Sequence, residues 1–169
     1  MNIRLQVLSA CVLVAAVPSA WPNGGGAMSE IRAPREQTPQ EHAKALYNEG
    51  VHDVKKADKF QTSALQLTDA GKKDRALHEA QEYYGSALSK FQQAAQNDPQ
   101  MPEAWNYVGY TNRHLGNYAA ALTAYEQALT LKPGYGDALE YRGEAFLGLN
   151  RVADAKQAYL DLCRQSSPG

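Results

Sequence analysis

Small and large apolar residues alternate along the first half of the chain in two helical registers. Ala43, Gly50, Ala57 and Ala64 recur every seven residues, with Leu46, Phe60 and Leu67 on the adjoining stripe; Ala80, Ala87 and Ala94 recur in the same way, with Leu77, Tyr84 and Phe91 beside them. A seven-residue recurrence stays on one face of a helix, so each series predicts one long helix whose small residues admit a close neighbour. The two series meet at Asp69-Ala70-Gly71-Lys72-Lys73, with Gly71 as the expected left-handed stop. From Ala87 onward a second period takes over. Ala87, Ala121 and Ala155 lie 34 residues apart, as do Phe91, Tyr125 and Tyr159, Pro99 and Pro133, and Gly109 and Gly143. A period of that length predicts stacked helical hairpins, and three hairpins, about the minimum for a stable array, can be counted.

Boundary signals agree with this division. Thr38-Pro39-Gln40-Glu41 reads as a capping box with proline at the first helical position. Asp98-Pro99 and Pro133-Gly134 end helices, while Gly116-Asn117 and Leu149-Asn150 turn the chain inside hairpins. No strand pattern competes after Thr38. Gly50 precedes Gly109 by 59 residues, one 34-residue period plus 25. The first hairpin is therefore expected to have both arms lengthened by about 12 residues, projecting roughly 18 Å beyond the others. The alternative, two short hairpins, needs a turn near Ala57-Asp58, where neither glycine nor proline is present.

The segment Pro102 to Tyr135 resembles the tetratricopeptide repeat (TPR) at Trp105, Val108-Gly109, Ala121, Tyr125, Ala128 and Pro133, and departs from it at Asn112, where an aromatic is usual. The next unit keeps Leu139, Gly143, Phe146, Ala155 and Tyr159, with Arg142 and Leu162 where a smaller or apolar residue is usual. The preceding unit keeps Leu46 and Gly50, then Ala87, Phe91, Ala94 and Pro99. The resemblance implies an all-α stack of three antiparallel helical hairpins, an α-solenoid with its first hairpin elongated. It also implies a concave surface, lined by the first helix of each hairpin, that holds an extended peptide or a partner's helix. Lys44, Tyr47, Val51 and Val54, then Glu103, Asn106, Tyr110 and Arg113, then Asp137, Glu140, Glu144 and Leu147 occupy the lining positions. Tyr47, Asn106, Tyr110, Arg113, Asp137, Glu140 and Glu144 form the candidate site. Chaperone-binding members of the family clamp a terminal carboxylate with Lys, Asn and Arg; the acidic third hairpin argues against that use and for a basic or mixed segment.

The organisation that follows is a secretory signal at 1–20, a flexible tether at 21–37, a repeat domain at 38–165 divided into 38–101, 102–135 and 136–165, and a tail at 166–169. Arg4 supplies the positive start of the signal, LQVLSACVLVAAV its apolar run and Pro18-Ser19-Ala20 its small-residue end. Leu8-Ser9-Ala10-Cys11 resembles a bacterial lipoprotein cleavage box, which would bring a membrane anchor through lipidated Cys11, and Met28 is an alternative start for a cytoplasmic protein. Removal of the signal leaves Cys163 as the remaining thiol. Its place beside Leu162 and Tyr159 predicts a small packed core residue, with an intermolecular disulfide as the alternative.

Charge excludes one class of partner. The 17 basic and 18 acidic residues are interspersed, with no basic stripe for a phosphate backbone, so nucleic acid is not an expected ligand. Lys72, Lys73 and Arg75 cluster at the tip of the long hairpin and read as a solvated turn. His42, His52, His78 and His114 fall on different helices or faces, no HExxH motif or nucleophile elbow is present, and the Gly24-Gly25-Gly26 run carries no phosphate-cradling lysine. No cofactor, metal or catalysis is expected. The sequence describes a protein-binding adaptor exported to the periplasm for a bacterial envelope assembly. Its alternative is a self-assembling structural protein, a homo-oligomer joined through Ala155, Ala158 and Leu162 of the last helix, for which no cover is evident.

Overall fold

The computed structural model describes residues 35–166. The signal, all but the end of the tether, and the tail after Ser166 lie outside the described residues. Six helices run through the described part: α1 (Pro39–Gln66), α2 (Ala70–Asn97), α3 (Pro102–His114), α4 (Tyr118–Leu131), α5 (Gly136–Gly148) and α6 (Val152–Ser166). They pair consecutively into three hairpins, with α3 laid against α2 and α5 against α4, and α3 also meets α5. No strand occurs among the described residues.

Both ends of the first hairpin are set by side chains that satisfy the unpaired amides of a helix start. The Thr38 amide donates to Glu41 Oε2 (2.9 Å), and the Glu41 amide donates to Thr38 Oγ1 (3.2 Å), which is the reciprocal capping box. At the hairpin tip the turn is made without a left-handed glycine. α1 ends with Leu67 extended, and the Asp69 carboxylate accepts from the Lys72 amide (2.8 Å) to start α2, so Gly71 lies in the first helical turn instead of stopping α1. An aspartate cap accomplished the reversal that the sequence assigned to glycine.

The arms are continuous helices of 28 residues each, against 13 to 15 in the other four, which disposes of the two-hairpin alternative. The excess of 13 to 15 residues extends the tip by about 20 Å. Ala43, Ala57, Ala64, Ala80, Ala87 and Ala94 are all buried, as are Tyr84 and Phe91. The Phe91 ring rests on Gly50, where an added Cβ would come within 2.7 Å of a ring carbon. Glycine is required there because the arms approach too closely for any side chain. The same device recurs with Tyr125 on Gly109 and Tyr159 on Gly143, the three rings being 34 residues apart. Polar contacts also cross the long seam: buried Asp53 accepts from Lys90 Nζ (2.6 Å) and Ser86 Oγ (2.7 Å), and the Tyr84 hydroxyl reaches Asp58.

The departures from the repeat pattern have local explanations. Asn112 is buried, its Nδ2 donating to the Val108 carbonyl (2.9 Å) while its own carbonyl accepts from the Asn117 amide (2.8 Å); it ties the turn by hydrogen bonds where an aromatic would do so by contact. That turn passes through Gly116 at φ 80°, and the corresponding turn of the last hairpin through Asn150 at φ 58°, which asparagine tolerates better than most side chains. Arg142 stands where the second hairpin has buried Val108, and its guanidinium reaches Asp161 on α6 (3.4 Å). Cys163 is exposed and is no core residue. The packed side of α6 is used by Ala155 and Ala158, and Cys163 falls on the side that no described helix covers.

Candidate binding groove

The first helices α1, α3 and α5 bring a run of aromatic rings together. Tyr47 on α1 meets Tyr107 on α3 edge to face (5.5 Å between centroids), Tyr107 lies beside Tyr110 (5.9 Å), and Tyr110 meets Tyr141 on α5 (5.3 Å). The run follows from the repeat. Tyr107 and Tyr141 are one period apart, and each packs on the second-helix aromatic of a hairpin, Phe91 at 4.8 Å and Tyr125 at 6.3 Å. These groove tyrosines are half-buried, so their rings keep some area for contact. Burial, then the nearby Tyr107, Glu103 and Asp137, pushes the Tyr47 phenol up to about 12. Tyr107, Tyr110, Tyr135 and Tyr141 are raised as well, burial first and neighbouring carboxylates second. All are neutral hydrogen-bonding groups at physiological pH.

A polar network underlies the ring series. Arg113 Nη1 pairs with Glu144 Oε2 (3.0 Å), its Nη2 lies 3.1 Å from His114 Nε2, and its guanidinium covers Tyr110 and Tyr141 at 5.3 and 5.4 Å from their centroids. Because arginine only donates, His114 Nε2 must accept, which leaves the ring proton on Nδ1. His114 is held between Tyr84 (4.5 Å) and Tyr110 (4.4 Å). Burial, reinforced by Arg113, lowers its pKa to about 4, so the imidazole is neutral. The network ends in the long hairpin, where Asp58 accepts from the hydroxyls of Tyr84 (2.5 Å) and Tyr110 (3.0 Å). Asp58 belongs to the additional length of α1 and binds that arm to the second hairpin.

The sequence-assigned residues divide into three groups. Tyr47, Tyr110 and Arg113 lie in this aromatic and polar assembly. Asp137 and Glu140 are exposed on α5 and form its acidic edge. Glu144 is also there, but its charge is matched by Arg113. Asn106 is a correction: it is only 2 % exposed, and its Oδ1 has no hydrogen-bond partner among the described residues. α3 is the middle first helix, with neighbours on both sides, so a side chain that would be open on an outer helix is covered on this one. Val54 is likewise buried, in the core with Phe91 and Val108. Of the remaining lining positions, Lys44 is exposed, Val51 half-buried, Leu147 half-exposed, and Glu103 faces Lys132 at 3.9 Å.

Tyr107, Tyr141, His114, Tyr84 and Asp58 were absent from the sequence-derived site. The 34-residue match of Tyr107 with Tyr141 was a usable signal for the first two. Asp58 had none, since it lies in the 25 residues that have no counterpart in the other repeats. Among the described residues no three His, Cys, Asp or Glu side chains are grouped to hold a metal ion. No helix there is long and apolar enough to cross a membrane.

A tetratricopeptide repeat family profile, TPR_16, matches residues 64–136 and 115–169, together 106 of the 169 residues. The chain belongs to the tetratricopeptide repeat family. Solved structures similar to it include the first TPR of Spaghetti (RPAP3) bound to the HSP90 peptide SRMEEVD, at 20 % identity over 67 % of this chain and 81 % of that one, with a TM-score of 0.48. The second TPR of the same protein, bound to the same peptide, matches at 17 % identity over 70 % and 99 % of the two chains (TM-score 0.48). A crystal structure of MamA matches at 19 % identity over 75 % of this chain and 63 % of that one, also at 0.48.

Proposed function

We propose that this TPR protein is a non-catalytic adaptor whose concave face binds a basic or mixed-charge segment of a partner protein. The observation that carries this reading is the exposed pair Asp137 and Glu140 beside the half-buried, neutral tyrosines Tyr47, Tyr107 and Tyr141. Tyrosine gives a large contact area at small entropic cost and can donate to or accept from a peptide backbone, and the carboxylates select the sign of charge. Arg113 is engaged by Glu144 and His114, so it is poorly placed to receive the terminal carboxylate of an acidic ligand. Selection of a random-peptide library on the immobilised protein tests the reading. The recovered peptides are expected to be rich in Lys and Arg, and to bind the Asp137→Lys, Glu140→Lys double variant at least tenfold more weakly, about 1.4 kcal/mol. The difference should shrink as salt rises, because exposed charges are screened within about 8 Å at physiological ionic strength. Peptides of no charge preference that bind both proteins equally would overturn the assignment.

We further propose export to the bacterial periplasm, as part of an envelope assembly; what supports the export is Arg4, the apolar run and Pro18-Ser19-Ala20. Amino-terminal sequencing of protein recovered from its host should find a mature start between Ala20 and Met28. An intact Met1 removes the export claim, and a lipid on Cys11 replaces it with the lipoprotein alternative.

A further inference from the structure

A cavity of about 320 Å³ lies where the end of α4 meets α5 and α6. Leu129, Pro133 and Leu139 form its apolar wall, and Arg142, Asp161, Arg164 and Gln165 its polar side. Helical spacing puts Leu139 and Arg142 on the face of α5 opposite Asp137, Tyr141 and Glu144, so the cavity is separate from the groove.

The repeat accounts for both the space and the charge. One period earlier the place of Leu139 is taken by Trp105, whose indole donates to the carbonyl of Pro99 (3.1 Å), the equivalent of Pro133. Leucine has no ring to reach across to Pro133, and space remains between them. Over the same period Val108, Gln127 and Thr130 give way to Arg142, Asp161 and Arg164. An uncharged corner of the second hairpin has become, in the third, a cavity with two arginines and one aspartate.

The aspartate does not satisfy both arginines. Its Oδ1 accepts from Gln157 Nε2 (2.9 Å) and Arg164 Nη1 (3.1 Å), and its Oδ2 from Arg142 Nη2 at 3.4 Å. With Oδ1 taken by two other donors, Asp161 gives Arg142 one long bond in place of the paired bonds that a guanidinium and a carboxylate favour. The Arg142 side chain is only 22 % exposed, and its Nε has no hydrogen-bond partner among the described residues. A permanent cation so far withdrawn from water lacks acceptors, and the cluster as a whole carries one uncompensated positive charge. We infer that this cavity binds a small organic carboxylate, a single negative charge on a short apolar body. Its head completes the bonding of Arg142 and Arg164, and its chain lies on Leu129, Pro133 and Leu139. Asp161 stays in the cluster and repels a second negative charge, which disfavours a phosphate; the apolar wall disfavours a bare inorganic ion.

Hexanoate titrated into the isotope-labelled full chain, followed by its amide chemical shifts, tests the assignment. Shifts at Gly134, Leu139, Arg142 and Arg164 should saturate with a Kd of about 1 mM or tighter, while Tyr107 and Glu140 of the groove stay in place. Arg142→Leu, which returns an apolar residue to the position of Val108, should bind at least tenfold more weakly and unfold no earlier than the parent. Leu139→Trp, which fills the cavity as Trp105 fills the corresponding place, should bind equally weakly with unchanged helical circular dichroism. Acetyl-leucine run in parallel separates the two sources of such a group: tighter hexanoate assigns a free acid, tighter acetyl-leucine the C-terminal residue of a polypeptide. Absence of saturable shifts with either overturns the inference. So does hexanol that matches hexanoate, because charge then plays no part, or sulfate that matches it, because the apolar wall plays none. Undiminished hexanoate binding by Arg142→Leu or by Leu139→Trp overturns it equally. The groove reading stands or falls separately, on peptide binding.

Discussion

The second and third hairpins carry the same local motif and end up in different states. Gly109 lies under Tyr125 and Gly143 under Tyr159, each pair part of the same 34-residue pattern. Tyr125 is fully buried, however, while Tyr159 is half-buried. The seam of the second hairpin is closed by Val108, that of the third by an arginine bonded to Asp161. α4 is packed between α3 and α5, whereas among the described helices α6 packs against α5 alone. In a stacked array the sequence of a hairpin sets its internal contacts, but the rigidity of those contacts depends on the neighbour.

The largest test of that contrast is at the paired glycines. Gly109→Ala drives a methyl into the Tyr125 ring, which has no space to retreat, and should cost about 3 kcal/mol; Gly143→Ala meets the partly open Tyr159 ring at 3.0 Å and should cost about 1 kcal/mol or less. Urea denaturation of the two variants measures both, and equal losses would show that neighbour packing does not stiffen the motif. The long hairpin extends the comparison. Its alanine stripe is buried along its length, so Ala57→Leu or Ala80→Leu should cost about 2 kcal/mol, while Lys72→Ala at the exposed tip should cost almost nothing. Variants of Ala57 and Ala80 that unfold with the parent would mean that the arms stand further apart than described.

Smaller effects separate the two buried tyrosines of the array. Tyr84 donates to the Asp58 carboxylate, and Tyr84→Phe should lower stability by about 1.5 kcal/mol. The buried Tyr125 hydroxyl lies beside the Arg113 guanidinium but makes no well-aligned hydrogen bond among the described residues, so Tyr125→Phe should cost less than Tyr84→Phe. A loss at Tyr125 as large as at Tyr84 would mean that Arg113 donates a full hydrogen bond to it.

The last test is a titration. The folded pKa of His114, about 4, lies below the value of about 6.5 expected in the unfolded chain, so on acidification the unfolded state takes the proton first. The contribution of the neutral ring is therefore complete above pH 6.5 and is lost as pH falls toward 4. Between pH 7 and pH 5.5 the parent should lose about 1 kcal/mol more than His114→Gln, read from thermal or urea midpoints. The third hairpin has Gly148 at the equivalent position and should add no such dependence. Identical pH profiles for parent and variant would mean that His114 is solvated in the folded state.

What was legible without coordinates was everything governed by period. The spacing of Ala, Gly and aromatic residues is enough to define hairpins, their order and the additional length of the first, because a residue every 34 positions can remain equivalent only if the backbone between them repeats. The Thr38 cap was legible for the same local reason: its two hydrogen bonds join residues three apart. Tertiary structure decided what lay between hairpins. Asn106 looked like an open groove residue but is buried in the folded chain, Glu144 looked like a ligand for a cationic partner until Arg113 paired with it, and Asp58 gained its role from Tyr84 and Tyr110, which are 26 and 52 residues away. Cys163 looked like core because its helix neighbours are apolar, yet exposure is a property of the surrounding stack. Burial and ion pairing are sums over neighbours in space, and a pattern read along one chain contains those neighbours only where the repeat itself brings them back.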